Sequence, residues 1–346
     1  MDFIQSGIHK SLFVILLVTG LLSCSRVTGP DVPENNIPLV FTTFADWGVK
    51  SNSLVNDSDD LQLYPISILA NATANGDEDA AFKNDRLYYD GDEWKYDQTR
   101  YWIPGAKYSF AAFAPFASAG DYDGGNKLSN GSVSYSDDPA PVLEITEYNT
   151  IATDSRAEDL MVAHYVRDNS SSKDYSVVPL TFEHILSCVT FSIRNTMNED
   201  VTKLSEIQLS GLKYKCNITL NPTSVSVVCS DDVDLSVASE NRVSQDDGTP
   251  FLRKGMSEKE YKPLFDCGVL TLLPQRLYGN DIKLTFKIHR DASDNVGKSY
   301  SLNLGSVEAL REWKAGKKYD YMMSITSKDV LFQVVEVPWI EDNVEL

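Results

Sequence analysis

The chain has 346 residues, with 50 Asp and Glu against 31 Lys and Arg and a formal net charge of −19 at pH 7. A polymer this acidic repels nucleic acid and anionic lipid surfaces, so neither is expected as a partner and charge cannot supply a membrane attachment. Five cysteines, none in a C-x-x-C pair, and four scattered histidines (His9, His164, His184, His289) do not match structural zinc spacing, and no metal or other cofactor is expected.

In chain order, a short, weakly basic opening ends at Lys10 and is followed by an almost uninterrupted apolar run over residues 12–22. That run has the length of a signal-peptide core and is too short to span a bilayer. It stops at Leu21-Leu22-Ser23-Cys24, which resembles the bacterial lipobox: an aliphatic residue, a small residue, then the cysteine that takes the lipid. Residues 1–23 are therefore expected to be a lipoprotein signal peptide with Cys24 as the lipidated residue, the alternative being an ordinary signal peptide and a chance cysteine. Acyl chains on Cys24 would hold the mature protein to a membrane at about 0.8 kcal/mol per buried CH₂. Residues 24–36 are polar and Pro-rich, the composition of a tether.

From residue 37 the sequence reads as strands. Runs at 37–45, 66–70, 108–116, 142–146 and 160–165 are bounded by clusters such as Asn75-Gly76, Asp123-Gly124-Gly125-Asn126 and Asp138-Pro139. Farther on, Ile185, Val189, Phe191 and Ile193 alternate with Thr190, Ser192 and Arg194, the period of a half-buried strand. Strands are also expected at 269–273, 282–288, 319–325 and 330–339, and a short helix at 307–313. The polar stretch 167–174 is the best linker in the chain. It divides the chain into an N-terminal β-sandwich domain (37–166) and a C-terminal one (175–346), giving an all-β protein with two sandwiches in tandem.

Between 214 and 229 two alternating runs flank Asn221-Pro222-Thr223-Ser224. If Leu220 faces Val225, then Ile218 faces Val227 and Cys216 faces Cys229 on the inward side, close enough for a disulfide. Two small buried neighbours with free thiols are the other reading of the same spacing.

No catalytic constellation stands out: the chain has no G-x-S-x-G, no H-E-x-x-H and no phosphate-binding glycine loop after a strand, so no enzymatic activity is expected. His184 lacks a functional partner nearby in sequence and is expected to be a hydrogen-bonded histidine at the domain junction. Residues 121–126 loosely resemble a calcium loop without the acidic residue that would close it. Tyr88, Tyr89, Trp94, Tyr96, Tyr101 and Trp102 are either a sugar-stacking platform or, as favoured, core and rim of the first domain.

Several segments carry a family resemblance in order. Tyr101-Trp102-Ile103-Pro104 precedes Tyr108-Ser109-Phe110-Ala111-Ala112-Phe113-Ala114-Pro115. Asp159-Leu160-Met161 precedes Leu180-Thr181-Phe182-Glu183-His184-Ile185-Leu186-Ser187-Cys188-Val189-Thr190-Phe191. Trp313-Lys314-Ala315-Gly316-Lys317-Lys318-Tyr319-Asp320-Tyr321 is followed by Val337-Pro338-Trp339. Together they resemble the fimbrillin (Mfa-like) family of Bacteroidales surface lipoproteins over nearly all of the mature chain. The resemblance implies transthyretin-like sandwiches and a fimbrial or adhesin role at the outer membrane, with other fimbrial subunits as partners and a surface glycan or protein as receptor. It also implies assembly by β-strand addition, for which Val330, Phe332, Val334, Val337 and Trp339 of the last strand are the donor residues. In the family's polymerising subunits a protease cuts after an Arg that follows the first strand. Here no Arg occurs between Ala45 and Arg86, which points to an accessory subunit, tip or anchor, that keeps its first strand. A stand-alone glycan-binding outer-membrane lipoprotein is the alternative function.

Overall fold

Strands with one buried face alternate, and strands buried on both faces do not; both patterns occur here and set the layer order. The computed structural model describes residues 37–45, 58–118, 127–138, 140–152, 158–230, 233–234, 237–244, 249–291, 293–306 and 310–338. The first half supplies β1 (Phe41–Ala45), β2 (Ile66–Ala74), β3 (Asp77–Tyr89), β4 (Trp94–Lys95), β5 (Lys107–Ala114), β6 (Ser132–Ser136), β7 (Val142–Asn149), β8 (Met161–Asp168) and β9 (Val178–His184). The second half supplies β10 (Ser187–Asn195), β11 (Lys203–Ser210), β12 (Lys215–Asn221), β13 (Ser224–Cys229), β14 (Val269–Leu272), β15 (Lys283–His289), β16 (Lys298–Asn303), β17 (Lys317–Ile325) and β18 (Val330–Pro338). The protein is all-β, with a single helical turn at Ser58–Leu61 and a 3₁₀ turn at Leu304–Ser306 among the described residues.

A seven-stranded sheet runs β1-β9-β8-β5-β2-β3-β4, with β1 parallel to β9 and the other pairings antiparallel. Its central strands are covered twice. On β2 and β5, Ile66, Ile68, Ala70, Phe110 and Ala112 face one core with Phe41, Phe82 and Trp102. Leu69, Ala111 and Phe113 face the other way, into a core shared with Leu143, Ile145, Ile218 and Leu220. This double burial explains why both strands read as continuous apolar runs. The second layer is a four-stranded sheet, β13-β12-β7-β6. Beyond it, β10 lies between β14 and the parallel β17, which pairs in turn with β18. That sheet packs on β11-β15-β16 through Phe191, Tyr321, Leu284 and Phe286. Phe191 and Tyr321 stack with ring centroids 4.8 Å apart. Side chains of this size each stabilise by roughly 1.5–3 kcal/mol when fully buried.

Two stretches take a local form that their sequence does not suggest. The stretch 167–174 does not behave as a linker: Arg167 and Asp168 end β8, and Arg167 is 6% exposed. Its guanidinium donates to the Ser176 and Val177 carbonyls and lies 5.2 Å from the Trp102 ring, so the turn is folded back onto the core. β9, beyond this stretch, continues the same sheet, and the β12–β13 hairpin completes a sheet begun by β6 and β7. A boundary at 167–174 therefore cuts through shared sheets; every described residue belongs to one unit, Glu34–Leu346. The helix expected over 307–313 is likewise not formed at its described end. Glu312–Trp313 is extended and pairs with Gln275–Arg276. Trp313 is buried there and its Nε1–H donates to the Tyr321 hydroxyl at 3.1 Å, a tertiary contact that outweighs local propensity.

Candidate functional site

The features that bear on assembly are the two strands nearest the ends of the described chain. β1 is enclosed. On one side it pairs with β9 from Phe41↔Val178 to Ala45↔Phe182, and the Val178 N–H donates to the Val40 carbonyl at 2.8 Å. On the other side the segment just before it meets residues 100–102: Leu39 N–H donates to the Arg100 carbonyl at 2.8 Å, and Trp102 N–H to the Ile37 carbonyl at 2.9 Å. The Tyr96 hydroxyl donates to the Leu39 carbonyl at 2.8 Å. Phe41, 3% exposed, sits edge-on to Phe82, Tyr96 and Phe110 at 5.4, 5.9 and 5.8 Å. The opposite wall is braced by Arg100, whose guanidinium binds Asp85 twice, at 2.8 and 3.0 Å, over the Phe82 ring. Without residues 37–45 this place would be a strand-wide groove walled by aromatic rings.

β18 is the reverse case. It pairs only with β17, from Lys317↔Pro338 to Ile325↔Val330, and ends its sheet among the described residues. Val330, Phe332 and Val334 pack inward on the core, while Leu331 and Val335 are 62% and 38% exposed. Val337 is half-buried and Trp339 lies outside the described residues. A strand held by one ladder leaves a row of main-chain groups along its other edge that can pair with an added strand.

Cys24 and the loop 121–126 lie outside the described residues. Cys216 and Cys229 are directly opposed in the β12–β13 ladder, in the expected register and with free thiols. Of the six aromatics, Trp94 and Trp102 are core, Tyr89 and Tyr96 pack against that core, Tyr88 carries the Arg86 guanidinium 4.4 Å over its ring, and Tyr101 alone of the six is exposed, at 47%. His184 finds its partner across the β8–β9 connection. Its Nδ1 lies 2.9 Å from Asp159 Oδ1, and both side chains are 2% exposed.

One arrangement escapes sequence reasoning. Ser205 Oγ is 2.7 Å from His289 Nε2, and His289 Nδ1 is 2.6 Å from the Asp294 carbonyl. A carbonyl only accepts, so Nδ1 carries the proton and Nε2 accepts from the Ser205 hydroxyl. That is the orientation of a nucleophile–base pair. Both residues are nevertheless buried (6% and 4%), and Gly297 lies so close that a Cβ there would sit 2.7 Å from the imidazole, leaving the hydroxyl no approach path. The pair ties the 290–297 turn to β11. The two residues are 84 positions apart, so no local motif marks them. Among the described residues no three His, Cys, Asp or Glu side chains are placed to hold a metal ion.

Electrostatics follow burial. The Tyr319 hydroxyl, which accepts from the Lys314 N–H at 2.9 Å, is pushed up to about 12 chiefly by desolvation. Burial also raises Tyr321 and Tyr135, the latter to about 12.

A family model, fimbrillin-like, matches residues 55–339. Among solved structures the chain is similar to a fimbrial protein from Bacteroides vulgatus at 13% identity and a TM-score of 0.53, covering 87% of this chain and 99% of that one. It is also similar to candidate cell adhesion proteins from Bacteroides uniformis (14%, 0.51, 87% and 98%) and Bacteroides ovatus (14%, 0.52, 88% and 99%). At these identities the likeness bears on the fold alone. No curated protein matches the chain.

Proposed function

The chain belongs to the fimbrillin-like family, and on that premise we propose that it is an exported fimbrial subunit, lipid-anchored through Cys24 at the outer membrane, that acts by assembly and adhesion rather than catalysis. The observation that carries this reading is how the two outer strands are held: each pairs with one strand, but the lead-in to β1 is also fastened to residues 100–102 and Phe41 is buried, whereas β18 has its one ladder and a free edge. β18 is the donor, with Val330, Phe332, Val334, Val337 and Trp339 as its candidate residues; Val330, Phe332 and Val334, which face this chain's own core, leave it when the strand pairs with a neighbouring subunit. Main-chain bonds of the new ladder supply affinity, and the alternation fixes register.

This subunit keeps its first strand, which makes it an accessory subunit at the tip or base of the filament. Two observations support that. The first Arg after β1 is Arg86, which lies inside β3 and pairs with Ser67. A protease needs an extended, unpaired segment in its cleft, so cutting at Arg86 requires the β2–β3 ladder to open first. Shearing surface filaments from intact cells tests the assignment: the protein co-purifies with the filaments. Retention in the membrane fraction together with binding to a glycan array would instead establish a stand-alone glycan-binding lipoprotein.

A further inference from the structure

We infer that Cys216 and Cys229 form a built oxidation site, a dithiol that closes to a cross-strand disulfide through its accessible member, Cys229, and thereby locks the free edge of the second sheet. The inference goes beyond the fimbrial reading and does not depend on it.

The first support is the type of pairing. Ser230 N–H donates to the Lys215 carbonyl at 2.8 Å, and these two residues are the next opposed pair after Cys216↔Cys229. Hydrogen-bonded and non-hydrogen-bonded pairs alternate along an antiparallel ladder, so Cys216↔Cys229 is a non-hydrogen-bonded pair. On the other side, Thr150 N–H donates to the Tyr214 carbonyl, which in turn directs the Cys216 backbone bonds toward β7 and away from β13. In non-hydrogen-bonded pairs the Cα atoms lie about 4.5 Å apart and the side chains approach most closely, inside the Cα range that a disulfide accepts. Both cysteines also point to the same face: Cys216 is in the core between the sheets, and Cys229 packs against that core from its rim.

The second support is access. Cys216 is 1% exposed, whereas Cys229 is half-buried and lines a cavity of about 570 Å³ with Lys213, Arg276 and Gln275. Burial, then the charge of Cys229, pushes the Cys216 thiol up to about 12. Burial also raises Cys229, but Lys213 offsets part of that rise. The order of events follows. The Cys229 thiolate attacks one sulfur of a small disulfide that enters the cavity, and that reagent's S–S bond breaks and releases one thiol. Cys216 then gives up its proton, attacks the Cys229 sulfur and releases the second thiol. Two protein thiols are oxidised and one small disulfide is reduced to two thiols, so electrons and protons balance.

The third support is what the bond would do. The hairpin β12–β13 lies in the second half of the chain, yet it provides two of the four strands that cover the first sheet. β13 is the edge of that layer, and Cys229 is its last residue, farthest from the turn. A bond there fastens the end most prone to fraying.

The test uses the full mature chain, reduced, and then treated with oxidised glutathione under native conditions. The expected product has lost two hydrogens, yields a linked Cys216–Cys229 peptide, and exchanges the amides of 224–229 about tenfold or more slowly than the reduced chain. The rate rises as pH is raised above neutrality, because the thiolate is the attacking species. Cys216→Ser accumulates a stable glutathione adduct on Cys229, and Cys229→Ser does not react at Cys216. Wild-type protein that keeps both thiols, or that stops at a mixed disulfide, overturns the inference. So does Cys229→Ser reacting at Cys216 as fast as the wild type reacts at Cys229.

Discussion

The enclosure of the first strand makes a definite prediction about Phe41. Its side chain is 3% exposed and meets three aromatic rings edge-on, and the strand around it is short and sits at the end of its sheet. Phe41→Ala removes the transfer energy of a benzyl group and leaves a hole that Phe82, Tyr96 and Phe110 cannot fill without losing their mutual geometry. Buried Phe→Ala changes of this kind cost about 3–5 kcal/mol. If the cost is met by β1 detaching while the rest stays folded, the opening equilibrium of 37–45 shifts by roughly 10²- to 4 × 10³-fold. Amide exchange read by mass spectrometry should then accelerate by that factor in peptides covering 37–45 and 178–182, with urea unfolding recording the remainder. Phe44 is the internal control: it lies on the same strand but is 48% exposed, and Phe44→Ala should cost less than about 1 kcal/mol. A Phe41→Ala protein with unchanged exchange and a stability loss under about 1 kcal/mol would refute the view that this ring anchors the strand.

Three further outcomes follow from the packing. Asp159→Ala, which removes the buried hydrogen bond between Asp159 and His184, should lower the urea stability by about 1–3 kcal/mol, whereas Lys83→Ala at the exposed Lys83–Asp137 pair should change it by less than about 1 kcal/mol. Tyr319 is raised above its unfolded value of 10.0 to about 12, so the folded state holds this proton more tightly. Its contribution is fully present below pH 10 and is lost as pH climbs toward about 12. Phenolate absorbance should therefore show late-titrating groups that coincide with alkaline unfolding, and Tyr319→Phe should lower their amplitude by one phenol, leaving Tyr135 and Tyr321. Gly211 has φ +81°, and a Cβ there would sit 2.3 Å from the Asp281 carbonyl oxygen. Gly211→Ala should lower the thermal midpoint through both strain and collision, by about 1–3 kcal/mol in stability terms.

The sequence discloses those parts of the fold in which one rule applies at a time. β10, β12, β13, β15 and β17 alternate cleanly because each has one inward face, and the Cys216↔Cys229 register follows from a two-residue turn. β11 is invisible to the same rule. A bulge between Ser205 and Gln208, with Glu206 at φ 51°, resets the alternation so that Leu204, Ile207 and Leu209 share one core. β3 is hidden in the same way: it opens on Asp77-Glu78-Asp79, Asn84 has φ 53°, and few of its side chains, Phe82 and Leu87 among them, are buried. The stretch 167–174 departs from its composition for a different reason. Arg167-Asp168-Asn169 reads as solvent-facing turn chemistry, but two carbonyl acceptors and the Trp102 ring bury the Arg167 side chain, and no local pattern announces partners that the turn itself brings back. Of the candidate assembly strands, their existence was legible. That residues 100–102 hold the lead-in to β1 was not, because the contact spans some sixty positions of chain.

The central claim, a fimbrial subunit that keeps its first strand, is tested most directly by the mature N-terminus of the protein in sheared surface filaments. Mass spectrometry of that fraction should recover a lipid-modified peptide beginning at Cys24, with residues 37–45 intact in the same chain. A mature terminus near residue 50, or absence of the protein from the filaments, would contradict the account.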